Sequence, residues 1–312
     1  MTTDASEQVE TKPWLGLLGG AVAVAIWAGW ISATRFAVSG SGGTPTDPLV
    51  LAICRAGLPA VVLAPVIWRR GLVPAGARLG PILLMALGWG APFTFFVGEG
   101  LKTVPASLFG PLVPGMAPII VTVLAWLVFR EHPSRQFIWG LALIGSAMAA
   151  VLGQWLWHGE FAALAGAPFL LMASLGISVY TLMFRASGLS AVEATAYISL
   201  YSLPVLAIWA LLVPEALFVP GPSEWAFHAL TQGLLTGVGA VLAYGLAVRH
   251  LGAVRGSTAN ALVPVCAALV GVSVLGEALT MLEWGAVVAA SLGVAVVNDV
   301  FSRRRAAGQR ST

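Results

Sequence analysis

An all-α polytopic membrane protein, ten transmembrane helices in two inverted five-helix repeats, is the fold this sequence predicts, and three observations predict it. Of 312 residues, 58% are apolar and only 9% charged, where a soluble domain carries about a quarter charged. The apolar residues gather in ten runs, each near the roughly 20 residues that cross a hydrocarbon core about 30 Å thick. The line "SLFGPLVP" from Ser107 returns as "STANALVP" from Ser257, at an offset of 150.

The elements follow in order. Residues 1–13 are polar and acidic, without the basic start and short cleavable core of a secretory leader, and read as a retained cytoplasmic tail. The first run, 14–38, stops at the glycine-rich turn "SGSGGTP"; the second, 48–68, stops at Arg69 and Arg70; the third covers 79–100. The fourth, 106–129, carries Pro111, Pro114 and Pro118, and 135–155 closes the first half. The second half repeats the plan over 165–185, 191–213, 225–249, 257–277 and 282–301, followed by a basic tail, 302–312. No loop between runs holds a soluble domain. The chain therefore divides into a first repeat, 14–155, and a second, 165–301.

Basic loops stay cytoplasmic. Ten spans put both termini on one side, and that side collects 13 of the 16 Lys and Arg residues, the other only Arg35 and Lys102. Arg55 lies inside the second run. The expected location is a bacterial-type cell (inner) membrane, multi-pass, with both termini cytoplasmic.

Between 101–118 and 251–268, seven of 18 positions are identical at the fixed offset, against roughly two expected by chance from so biased a composition. The offset also pairs Arg35 with Arg185 and Trp30 with Tyr180. Because five spans are odd in number, the second half enters the membrane from the opposite side, which makes the repeat inverted. Glu99 aligns with Arg249, so the acid falls outside and the base inside. After the shared proline the copies diverge: Pro114 to Glu131 is 17 residues, Pro264 to Glu277 is 13.

With its "LVP" helix, the joint "GEALTMLEWG" and its counterpart "REHPSRQFIWG", and ten spans in two halves, the sequence resembles an EamA-type member of the drug/metabolite transporter superfamily over residues 14–301. Members usually carry Trp-Gly late in the first span, and here "IWAGW" moves the glycine one place on. The resemblance implies export of small organic solutes by alternating access, around a cavity lined by spans one, three, four, six, eight and nine.

Several residues are candidates for that cavity. Trp27 and Trp30 share one helix face; Tyr180 matches Trp30 in the repeat, and Tyr244 lies at comparable depth in the eighth run. Each either lines the cavity or packs. Ser107, Ser257 and Asn260 offer small hydrogen-bonding groups beside the prolines, for a solute or for a neighbouring helix. Pro114 and Pro264 are candidate gating positions, since proline frees a backbone acceptor that lipid cannot satisfy. Trp14, Trp68, Trp155, Trp157 and Trp225 lie near span ends and read as interfacial anchors. Glu131 and Glu277 occupy equivalent joints, suited to capping the following helix. Arg55 is the deepest charge, fit for a structural pairing or for solute binding. No Asp or Glu falls near a span centre.

Enzymatic chemistry finds no support: the four histidines form no H-E-x-x-H spacing and no G-x-S-x-G occurs. Neither a cofactor nor a metal is expected. The basic residues form no stretch interleaved with exposed aromatics, which excludes a nucleic-acid partner. The two cysteines, Cys54 and Cys266, lie in apolar runs and read as packing residues. The expected partners are a small-molecule solute and the lipid bilayer, with the chain a monomer or a homodimer. The alternative to a transporter is a non-transporting membrane scaffold or assembly subunit, which would need no polar cavity.

Overall fold

In lipid every backbone polar group must find its partner within the protein, so apolar runs of this length become helices. The computed structural model describes residues 12–41, 43–130 and 135–308, with side chains except at 128, 129, 135–137, 253–258 and 297–308, and all regular elements among them are helical. In chain order these are α1 (Pro13–Ser39), α2 (Pro48–Val62), α3 (Ala64–Arg70), α4 (Leu79–Trp89), α5 (Ala91–Leu101), α6 (Ala117–Phe129), α7 (Arg135–His158), α8 (Phe161–Ser187), α9 (Ala191–Leu212), α10 (Pro222–His228), α11 (Ala240–Thr258), α12 (Val263–Leu275) and α13 (Met281–Gly308).

Taken with their direct continuations, seven helices are long and apolar enough to cross a membrane. The pair α2 and α3, bent by 54°, makes an eighth if it is one span, and the shorter apolar helices Ala259–Leu275 and Met281–Val296 complete the set. This is a multi-span membrane protein.

Local chemistry sets the helix ends. Proline stands at or next to the first position of α1, α2 and α10, where its missing N–H is no loss. The Asp47 side chain accepts the Leu49 N–H at 2.8 Å, which caps α2. Gly40, Gly188 and Gly276 close α1, α8 and α12 at φ near 70°, a region that glycine enters without strain.

Four helical stretches are broken rather than straight. α2 and α3 meet in a bend at Leu63, and α4 and α5 are interrupted at Gly90. A wide i→i+5 turn, Pro111–Gly115, precedes α6, and another, Ala229–Gly239, joins α10 to α11. Side chains of neighbouring helices reach the groups left over. The Ser202 hydroxyl of α9 accepts the Ala91 N–H at 3.1 Å, while on α8 Ser174 donates to the Val113 carbonyl at 2.8 Å and Ser178 to that of Ala117 at 3.3 Å.

Polar contacts near helix ends tie the helices together. Lys12 donates its N–H to His250 Nδ1 at 3.2 Å and Arg70 pairs with Glu193 at 3.0 Å. Arg35 meets Leu101 and Glu277, and Gln154 meets Thr280. The main core is built from Trp30, Ile31, Phe93, Leu108 and Leu112 with residues of α7, α8, α12 and α13.

Candidate functional site

Trp30 is the 18th residue of α1, and only 4% of it is exposed. Its indole N–H donates to Gln232 Oε1 at 2.5 Å; the Gln232 amide in turn donates to Thr34 Oγ1 at 3.0 Å, and Thr34 donates to the Trp30 carbonyl. Every polar atom of this buried triad is used, which fixes the ring plane. Gln232 reaches α1 because it sits in the wide turn Ala229–Gly239, whose Gly233 and Gly237 allow close approach to α2. A Cβ on Gly233 would lie 2.7 Å from the Cys54 carbonyl, and one on Gly237 2.5 Å from Pro59.

From Trp30 a run of rings crosses the molecule. Trp30 stacks on Phe93 at 6.4 Å between centroids, Phe93 meets Trp89 at 4.3 Å, Trp89 stacks on Tyr180 at 5.5 Å, and Tyr180 stacks on Phe184 at 5.6 Å. Trp89 stands at the break between α4 and α5. A Cβ on the next residue, Gly90, would collide with the Ser202 hydroxyl and the Ala86 carbonyl, so only glycine allows the two half-helices to meet there. Trp30 and Tyr180, which the repeat pairs, thus belong to one wall and are joined through Phe93 and Trp89. Trp27 and Tyr244 form a separate tilted pair at 5.7 Å. Asn260 keeps a buried amide oxygen without a partner among the described residues.

Arg55 of α2 lies against this wall. Its guanidinium carbon is 4.6 Å from the Trp30 ring centre, 5.2 Å from that of Trp89 and 5.6 Å from that of Phe93. Only 9% of the residue is exposed, and Nη1 has no hydrogen-bond partner among the described residues. An apolar groove of about 660 Å³ is lined by Trp30 together with Ile26, Gly29, Phe36, Phe227 and Leu235. Among the described residues no group of three or more His, Cys, Asp or Glu gathers as a metal site.

The serine and proline candidates occupy different surroundings. Ser107 is fully buried; its backbone N–H donates to Glu277 and its hydroxyl has no partner among the described residues. The Ser257 side chain and Glu131 lie outside the described residues. Pro114 is within the wide turn Pro111–Gly115, and Pro264 opens α12. The two broken segments cross: a Cβ on Gly110 would lie 2.4 Å from Pro264 Cα.

Two expectations are corrected. Glu277 does not cap the helix that follows it; its carboxylate accepts the N–H groups of Ala106 and Ser107 at 2.7 and 2.9 Å. The cap of α13 is instead Thr280 with Glu283, the Thr280 N–H donating to Glu283 and the Glu283 N–H to the Thr280 hydroxyl. Trp155 is not an interfacial anchor, because it is buried and donates to Glu283 at 2.9 Å. Trp14, Trp68 and Trp157 are exposed, as anchors are.

Sequence reasoning passed over Trp89, Phe93 and Gln232. A lone glutamine in an apolar run was the signal for Gln232, and "GWGAP" at mid-run the signal for Trp89.

With this geometry in place, comparison with known proteins gives three findings. A family model described as the EamA-like transporter family matches the chain twice, over residues 14–153 and 164–299. Proteins of Escherichia coli, Salmonella typhimurium and Pseudomonas aeruginosa named for ethidium bromide resistance are each 29% identical over 75 residues, 24% of this chain and 62% of theirs. The chain therefore spans less than two thirds of the length of these relatives. A solved structure described only as a protein crystal structure superposes with a TM-score of 0.55, covering 93% of this chain and 97% of the other at 19% identity; that likeness is one of fold.

Proposed function

The chain belongs to the EamA-like transporter family, and from that premise we propose that it is a secondary transporter that exports small organic metabolites, amino acids or related compounds, by alternating access around a central cavity. The observation that carries the reading is the aromatic wall. Trp30 of α1, Phe93 of α5, Trp89 of α4 and Tyr180 of α8 stand in one run of ring contacts drawn from both halves of the sequence. A solute held against it touches both halves at once, as a site between repeats requires.

The organisation behind this proposal is ten spans in two inverted repeats, 14–155 and 165–301. The two shorter helices, at 17 and 16 residues, rise about 24–26 Å at 1.5 Å per residue, close to the hydrocarbon thickness. Counted with the seven and the bent pair they make ten. Helix neighbours also survive exchange of each span with the one five places on. The first packs on the eighth as the sixth does on the third, and the first on the ninth as the sixth on the fourth. The contacts of second with seventh and fifth with tenth map onto themselves. The double family match favours the same division.

Trp27, Tyr244, Asn260, Ser107 and Ser257 are proposed to complete the solute path, with Pro114 and Pro264 in its gates. The carrier works in a bacterial-type cell membrane with both termini cytoplasmic, as a monomer or a homodimer. Because ring faces and amides line the wall, solutes that are neutral or zwitterionic overall and have an apolar portion suit it better than strongly charged ones.

A second reading, carriage of lipophilic cations, draws on the relatives named for ethidium bromide resistance and on ring faces, which attract cations by about 0.5–2 kcal/mol each. Against it stands a guanidinium already on that wall. Counterflow into proteoliposomes of a panel of amino acids, organic acids and lipophilic cations tests these readings together. Saturable exchange of amino acids or similar metabolites supports the first, and exchange of the cations alone the second. If no solute moves, the chain is a scaffold.

A further inference from the structure

Two arginines inside this protein are treated differently. Arg35 donates to the Leu101 carbonyl at 2.6 Å and has Glu277 at 3.9 Å, so its charge is answered. Arg55, the basic residue of α2, lies some 10 Å in from Pro48 along the helix, and its Nη1 has no hydrogen-bond partner among the described residues. A guanidinium remains protonated in proteins. Burying such a charge unpaired is unfavourable unless something meets it.

The rings of Trp30, Trp89 and Phe93 meet it in part. Ring faces attract the positive charge as a whole but do not receive the directed N–H groups of the fork, and Nη1 is the atom left over. A planar fork with free donors, held in place by rings, is a preorganised receptor for a carboxylate, which it can bind through two parallel hydrogen bonds. The surrounding rings supply an apolar surface for the remainder of the same molecule.

We propose that Arg55 is the anion-recognising residue of the solute site: the solute presents a carboxylate to the guanidinium and an apolar portion to the rings of Trp30, Trp89 and Phe93. The inference rests on the transport reading in taking this place as the solute's. It narrows that reading, since an amino acid or a hydrophobic monocarboxylic acid fits whereas a lipophilic cation meets a like charge.

Three probes of one shape test it: 3-phenylpropionate, its neutral amide, and 3-phenylpropylammonium, each titrated against detergent-purified protein with tryptophan emission as readout, because Trp30 and Trp89 flank the guanidinium. The acid should bind on the order of ten- to a hundredfold more tightly than the amide, the range for hydrogen bonds to a charged group, and the ammonium more weakly still. Arg55→Gln should abolish the preference; Arg55→Lys should keep part of it, since the charge survives without the fork. Equal binding of acid and amide, no binding of the acid, or a preference that persists in a folded Arg55→Gln variant overturns the proposal. If Arg55→Gln fails to fold, the wild-type ranking and Arg55→Lys decide. Counterflow of the same probes keeps the two claims apart. Arg55-dependent binding without counterflow defeats the transport reading and leaves the anion site standing; counterflow of the amide or ammonium that is indifferent to Arg55 does the reverse.

Discussion

The Glu277 carboxylate accepts the backbone N–H of Ser107 at 2.9 Å, from 170 residues further along the chain. Its other oxygen takes the Ala106 N–H at 2.7 Å, and Arg35 stands beside it while donating to the Leu101 carbonyl. One carboxylate thus ties the irregular start of the fourth span to the ends of the first, third and ninth. Glu277→Gln keeps the shape but leaves one acceptor oxygen for two donors, so one buried N–H is orphaned. The expected loss is about 1.5–3 kcal/mol, measured as a lower thermal midpoint in detergent; an unchanged midpoint would show that the two bonds carry little stability.

Close approach at the crossing of the fourth and ninth spans makes a second expectation. A Cβ on Gly110 would sit 2.4 Å from Pro264 Cα, against backbone rather than a flexible tip. Gly110→Ala should therefore cost about 1–3 kcal/mol or more through overpacking. Gly29→Ala, where nothing lies within 4 Å, should be neutral or gain about 0.5–1 kcal/mol from helix propensity. Comparing the thermal midpoints of the two variants checks both signs.

What could be read in the sequence was what depends on neighbours along the chain. The helical runs, the face shared by Trp27 and Trp30, and the breaks at Pro114 and Pro264 all follow from spacing and from missing backbone donors. What could not be read depends on partners far away in sequence. Glu277 looked like a local cap because its true acceptor role involves Ala106 and Ser107, and Trp155 looked like an interfacial anchor because its partner Glu283 is 128 residues distant. The Thr280 to Glu283 capping box was legible in "TMLE" but lay behind the more prominent Glu277. Trp89 became visible as part of a wall only once Gly90 and Ser202 brought the third span against the seventh.

The wall predicts a pattern of transport defects. Trp30→Ala and Tyr180→Ala should each raise the half-saturation concentration in proteoliposome uptake. Trp89→Ala, which removes the ring that touches both Phe93 and Tyr180, should raise it at least as much. Stacking contacts of about 0.5–1.5 kcal/mol correspond to roughly two- to tenfold at 1.4 kcal/mol per factor of ten. Unchanged half-saturation in folded Trp30→Ala and Tyr180→Ala variants would reduce these rings to packing.

Orientation is open to a direct measurement. If ten spans place 13 of the 16 basic residues on the cytoplasmic side, as proposed, single cysteines in the loop after Trp157 and in the loop around Glu215 should react with an impermeant thiol reagent in intact cells. A cysteine at Gln309 should not. Labelling at Gln309 would reverse the assignment.

The prolines of the two crossing segments are the sharpest test of movement. Pro114 lies in a wide turn whose Val113 carbonyl accepts the Ser174 hydroxyl, and Pro264 stands at the start of α12 against Gly110. Pro114 inside its wide turn, and Pro264 at the join between the short turn Ala259–Leu262 and α12, keep their segments from closing into continuous i→i+4 bonding, because proline has no N–H to offer and its ring excludes the carbonyl four residues back. A segment held this way bends with few bonds broken, as a gate must, whereas a regular helix moves only as a rod. Pro114→Ala and Pro264→Ala should restore the missing donor, straighten the segment and slow transport, while leaving expression and solute affinity near the parental values. The separation matters: a site residue changes half-saturation, and a gate residue changes the maximal rate. Should both variants transport at the parental rate, the bends are features of packing and the gates lie elsewhere.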